Sequence, residues 1–130
     1  MNEETALKWY KQAKHDLEMA GKNIVIGGYD VAAFLAQQSV EKMLKAAILF
    51  EGKPLPRTHY VDELARTLQL PESIIDNVLD LAPDYTLARY PDVADRVPYA
   101  EYNKDLAAEK VEKARSVFDF LAKKTGISKE

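Results

Sequence analysis

Apolar residues recur three and four positions apart along most of this chain, and no stretch of useful length alternates every second residue. That spacing lays a continuous stripe along an α-helix but gives a strand no consistent inner face. Ala6, Trp9, Tyr10, Ala13, Leu17 and Ala20 predict a first helix over Glu3–Ile26. Leu7, Tyr10, Lys14, Leu17 and Gly21 mark its winding face. At 1.5 Å per residue such a helix is roughly 35 Å long. Gly27-Gly28 ends it, since paired glycines are poor helix formers that enter left-handed conformations at little cost.

A second helix is predicted from Asp30 to Glu51, with Val31, Phe34, Leu35, Val40, Leu44, Ala47 and Ile48 inward and Gly52 as its stop. Lys53-Pro54-Leu55-Pro56-Arg57 reads as a proline-stiffened loop. Thr58 is the expected N-cap of a short third helix with Tyr60, Val61, Leu64 and Leu68 facing in. Pro71 opens a fourth helix in the one turn that tolerates proline, driven by Ile74, Ile75, Val78, Leu79 and Leu81, and Pro83 ends or kinks it. Asp84–Tyr102 is the least regular region, with Pro91 and Pro98 among its tyrosines. The last helix spans Asn103–Lys124 on Leu106, Ala107, Val111, Ala114, Val117, Phe118 and Leu121, and Gly126 closes it. The expected fold is all-α: an up-and-down four- to five-helix antiparallel bundle, with residues 1–130 as a single domain.

Composition narrows the chemistry. A net charge of -3 does not favour bulk attraction to nucleic acid or anionic lipid. The absence of cysteine removes disulfides, thiolate metal sites and thiol nucleophiles. The start, Met1-Asn2-Glu3-Glu4, lacks the basic end and apolar run of a signal peptide. The most apolar stretch, Val31–Phe50, is interrupted by Gln37, Gln38, Glu41, Lys42 and Lys45, so no membrane association is expected and the chain is read as cytoplasmic.

Several polar residues fit a plain bundle poorly. Gln38, Glu41 and Lys45 share one stripe of the second helix, close to its apolar face. They form either an exposed Glu41–Lys45 pair, worth about 0.3–0.5 kcal/mol, or the wall of a cleft. His59 either packs before the third helix or carries protons, because imidazole ordinarily titrates between pH 5 and 8. His15 belongs to the polar face of the first helix. Arg89, in Tyr85-Thr86-Leu87-Ala88-Arg89-Tyr90-Pro91-Asp92, sits among rings that offer stacking surfaces while its guanidinium offers a phosphate contact. The alternative there is a kinked connection fixed by ring packing and an Arg89–Asp92 contact. Two distant histidines and no cysteine make no metal signature, Gly27-Gly28 is no phosphate loop, and no Ser-His-Asp set can be assembled. No catalytic residue and no cofactor is assigned.

Four of these segments together resemble one family. Trp9-(x3)-Ala13-(x2)-Asp16-Leu17-(x2)-Ala20 resembles the opening of HEPN domains. Gly28-Tyr29-(x3)-Ala33-Phe34-(x2)-Gln37-Gln38-(x2)-Glu41-Lys42-(x2)-Lys45-Ala46 is similar to their second helix. Arg57-Thr58-His59 resembles their third element, and Tyr85-(x3)-Arg89-Tyr90-Pro91-Asp92 the segment before their last helix. The resemblance implies a four- or five-helix bundle that is often dimeric, and in many prokaryotic members a partner of a separate minimal nucleotidyltransferase.

Other members of the family are metal-independent ribonucleases, including toxins, with an Arg followed four to six residues later by a His. Here no histidine follows Arg89 or Arg96. The expected function is therefore a non-catalytic homodimeric module that binds a nucleotide or a nucleotidyltransferase partner. Its ligand residues would be Gln38, Glu41, Lys45, Arg57, His59, Arg89 and Tyr90, with Arg89 and Lys45 on phosphate and Tyr90 on a base. The alternative is a ribonuclease toxin using Arg89 and His59, and only under it is RNA a partner. A third reading is a structural subunit whose interface includes Asp84–Tyr102.

Overall fold

A computed structural model describes residues 2–129; Met1 and Glu130, the ends of the expected domain, lie outside the described residues. Small side chains decide how the first two helices close. α1 (Asn2–Val25) buries Ala6, Ala13, Leu17 and Ala20, and α2 (Tyr29–Phe50) buries Ala32, Ala36, Val40, Met43 and Ala47. With methyl groups at the contact the backbones approach closely enough for Ser39 Oγ to donate to the Ala13 carbonyl at 2.8 Å. Gly27, at φ 82, makes the reversal between the helices, a left-handed conformation that glycine adopts without a Cβ clash. Trp9 then faces Lys45 and Asp16 faces Lys42, which fixes the pair as antiparallel.

The chain continues through α3 (Val61–Ala65), α4 (Glu72–Leu81), α5 (Asp84–Leu87), α6 (Pro98–Glu101), α7 (Lys104–Thr125) and a 3-10 turn at Ile127–Lys129. Asn103 caps α7 by accepting from the Leu106 amide at 2.8 Å, and Gly126, at φ 73, ends it. α7 runs along α2 in the same direction: Leu106 packs against the cluster of Ala33, Ala88 and Tyr102 at one end, and Lys124 meets Glu51 at 2.7 Å at the other. Lys124 first, and then Lys53, hold the Glu51 carboxyl below the usual carboxylate range against the opposing effect of burial. Lys113 ties α7 to α4 through Asp80 at 2.6 Å. Met43, Leu44, Ile48, Leu64, Leu81 and Leu121 fill the centre. The molecule is the all-α up-and-down bundle that the spacing predicts, with α1, α2, α4 and α7 as its body and one-turn helices in the connections.

Three local expectations are corrected. α3 begins at Val61 rather than behind Thr58, and its N-cap Tyr60 is 58% exposed instead of inward. Thr58 spends its hydroxyl on an earlier turn, accepting from the Tyr60 amide at 3.1 Å and donating to Glu63 at 2.5 Å. Lys14, Val31 and Leu79 face solvent, while Asp16, Gln37 and Asp84 are buried; Lys42 partners Asp16, and Tyr102 and Lys110 partner Asp84. Asp84–Tyr102 is more ordered than its composition suggests, since α5 and α6 both form inside it. Among the described residues Arg89 makes no ion pair with Asp92; its Nε donates to the Tyr85 carbonyl at 2.8 Å.

Candidate functional site

The site starts on the stripe of α2 that lies beside its apolar face. Glu41 and Lys45 are 3% and 7% exposed, with Nζ 2.9 Å from Oε2. The pair is thus buried, not the solvated surface pair that spacing alone allows. Charges withdrawn from water require close partners, because desolvation otherwise costs several kcal/mol per ion. Glu41 has them: His59 Nδ1 lies 3.0 Å from the same oxygen, and Gln38 Nε2 lies 3.4 Å from Oε1. Lys45 Nζ also stands 4.9 Å above the Trp9 ring. One turn away, Lys42 meets the buried Asp16 at 2.5 Å, and Gln12 donates to the same carboxylate at 3.0 Å. A polar seam therefore runs between α1 and α2.

The other wall is set by a second buried carboxylate. Pro83 breaks the α4 pattern and α5 turns the chain back over α2. Asp84, 1% exposed, accepts from the Tyr102 hydroxyl through Oδ1. Lys110 Nζ lies 2.8 Å from Oδ2 as an ionic contact without hydrogen-bond geometry. Burial first, and then the Asp84 bond and charge, push the Tyr102 hydroxyl well above the ordinary tyrosine range. Ala33, Ala88 and Tyr102 pack beneath this clasp.

Arg89 leaves the turn one helical step after Tyr85. Its guanidinium carbon lies 4.3 Å from the centroid of Tyr85, 4.7 Å from that of Tyr90 and 5.2 Å from that of Phe34. Arg89 is exposed, and among the described residues no carboxylate comes within ion-pair distance of it. His59 stacks on Tyr85 at 5.7 Å with ring planes 10° apart. Since both distances run to the Tyr85 ring, the His59 ring and the Arg89 guanidinium lie within 10 Å of one another.

Gln38, Glu41, Lys45, His59, Arg89 and Tyr90 therefore share one connected tract with Trp9 and Tyr85. Arg57, two positions before His59, is exposed and makes no hydrogen bond or ion pair among the described residues. Of the two cations expected on phosphate, Lys45 turns its ammonium inward to Glu41, and Arg89 keeps an open guanidinium. Gln37 is fully buried; its Oε1 accepts from Gln38 at 2.9 Å and its Nε2 has no partner among the described residues. Sequence reasoning missed the pairing of Asp16 and the clasp at Asp84. Asp16 already stood on the buried stripe with Ala13 and Ala20, but its partner is 26 residues away. A cleft of about 700 Å³ lies elsewhere, lined by Tyr10, Phe118, Phe120 and Lys123, and none of the tract residues line it. No helix among the described residues is long and apolar enough to cross a membrane.

Comparison with known proteins adds three findings. The sequence profile of the HEPN domain matches residues 6–125. The chain is 29% identical over 135 residues to the "Putative toxin MJ1304" of Methanocaldococcus jannaschii, covering 90% of this chain and 88% of that protein. Among solved structures, TT1696 from Thermus thermophilus superposes with a TM-score of 0.89 at 29% identity, over 95% of this chain and 99% of that one. ST0689, described as an archaeal HEPN homologue, does so with a TM-score of 0.81 at 32% identity, over 92% of this chain and 97% of that one.

Proposed function

We propose that this chain, which belongs to the HEPN domain family, is a non-catalytic binding module that takes a nucleotide at the Arg89–tyrosine tract. The observation that carries this reading is Arg89 itself. It is an exposed guanidinium held against three aromatic rings, with no carboxylate neutralising it among the described residues. A guanidinium so placed offers forked donors to a phosphate, and Tyr90, 45% exposed, offers a face to a base. Glu41 and Lys45 serve the site from beneath by fixing His59, while Gln38 and Arg57 border it. The working form is a homodimer, and a minimal nucleotidyltransferase is its partner chain, as the family resemblance implies.

Titration calorimetry of ADP and GDP into wild type and Arg89→Ala tests the nucleotide reading. Binding to wild type that weakens tenfold or more in the variant is expected, since a hydrogen bond to a charged group contributes about 1.5–3 kcal/mol. Equal or absent binding in both proteins removes it.

A second reading is favoured by one observation, the His59–Tyr85 stack that draws an imidazole to within 10 Å of Arg89. A metal-independent ribonuclease toxin using Arg89 and His59 needs such an approach, and one relative bears the name of a toxin. RNA left intact by the purified protein, with growth unaffected by overexpression, would count against it.

A further inference from the structure

The two ring nitrogens of His59 have different surroundings. Nδ1 lies 3.0 Å from Glu41 Oε2, and the same oxygen receives Lys45 Nζ at 2.9 Å. An ammonium only donates, so that oxygen is an acceptor toward both neighbours, and Nδ1 carries the hydrogen. The Glu41 side chain is 4% exposed and that of His59 is 65% exposed. The Nδ1 edge of the ring is thus tied to a buried carboxylate, while the side chain as a whole is largely open to solvent, stacked on Tyr85 and within 10 Å of Arg89.

We propose that Glu41 is a positioning residue that holds His59 in its Nδ1–H tautomer, so that the neutral ring presents Nε2 as a hydrogen-bond acceptor for a ribose hydroxyl of the ligand. The hydrogen bond at one imidazole nitrogen decides which nitrogen is free, and here that bond is to a fixed, buried anion. A free imidazole side chain favours hydrogen on Nε2, where it would duplicate the donors that Arg89 already supplies. With the tautomer reversed, the two exposed groups become complementary: Arg89 donates to an anionic phosphate and Nε2 accepts from a hydroxyl. A site built to bond a hydroxyl discriminates against the analogue that lacks it. The ligand class is then a ribonucleotide with its sugar hydroxyls intact. This ligand half rests on the nucleotide reading above; the tautomer half does not.

Long-range ¹H–¹⁵N correlation spectra at alkaline pH read the tautomer directly, with the exposed His15 as an internal reference. Wild type is expected to show Nδ1 protonated and Nε2 bare at His59, and Glu41→Leu/Lys45→Met to show hydrogen on Nε2. That double variant removes both buried charges, so neither is left stranded. Hydrogen on Nε2 in wild type, or one tautomer in both proteins, overturns the proposal. Titration with ADP and its 2′,3′-dideoxy analogue tests the ligand half. Wild type should bind ADP up to about tenfold more tightly than the analogue, the scale of one neutral hydrogen bond, and the double variant should not discriminate. Equal affinities in wild type overturn the hydroxyl assignment. Failure of both nucleotides to bind overturns the nucleotide reading and the ligand half with it, while the spectra still decide the role of Glu41.

Discussion

Replacing Asp84 with alanine removes the group that ties the start of the Arg89 turn to Tyr102 and α7. Asp84 is 1% exposed, accepts from the Tyr102 hydroxyl and lies 2.8 Å from Lys110 Nζ. Loss of a hydrogen bond to a charged acceptor costs about 1.5–3 kcal/mol. Breaking a buried ion pair from one side costs about 3–5 kcal/mol, because the surviving charge stays desolvated. Lys110 is not wholly stranded: its side chain is 14% exposed and Nζ also donates to the Asp80 carbonyl at 2.5 Å. The total therefore falls at the lower end, about 3 kcal/mol, equivalent to a drop of roughly 10 °C in Tm for a domain of this size.

Urea and thermal denaturation followed by circular dichroism measure that loss. Hydrogen exchange locates it: the amides of Arg89 and Tyr90, which both donate to the Thr86 carbonyl, should lose protection before those at the centre of α2. Adding Lys110→Met should recover at least 1 kcal/mol, because the second charge then has nothing to lose. A Tm within 2 °C of wild type, or unchanged protection at Arg89 and Tyr90, would refute the claim that this carboxylate fixes the turn.

Two further outcomes follow from the other buried polar groups. The Tyr102 hydroxyl has a folded pKa above its unfolded one, so its contribution is fully present below about pH 10 and is lost as the pH rises further. Tyr102→Phe should flatten the alkaline fall in stability seen in urea melts above that pH, and an unchanged slope would contradict the assignment. The Asp16–Lys42 pair joins α1 to α2 at 2.5 Å, with side chains 7% and 22% exposed. A double-mutant cycle with Asp16→Ala and Lys42→Ala should give a coupling of about 1 kcal/mol, after discounting for the partly solvated lysine; a coupling near zero means that the contact contributes nothing.

The repeat of Ala6, Ala13, Leu17 and Ala20, the break at Gly27, and the stops at Gly52, Pro83 and Gly126 all act within a few residues of themselves. They were legible in the order of amino acids, and with them the all-α bundle. The candidate site was legible in part. Gln38, Glu41, Lys45, His59, Arg89 and Tyr90 stood out because each was awkward where local spacing put it. Which of them would meet was a different matter. Glu41 and His59 are 18 residues apart, as are Asp84 and Tyr102, and Asp16 and Lys42 are 26 apart. Helical periodicity fixes the face on which a side chain emerges but not the level at which another helix passes it. That level was set when the alanine faces of α1 and α2 closed on each other and α5 folded back across them. Only then was the Glu41–Lys45 pair enclosed and His59 brought to it, while Arg89 stayed exposed, because burial makes an unpaired polar group expensive and Glu41, Asp16 and Asp84 each took a partner that the closed bundle supplied.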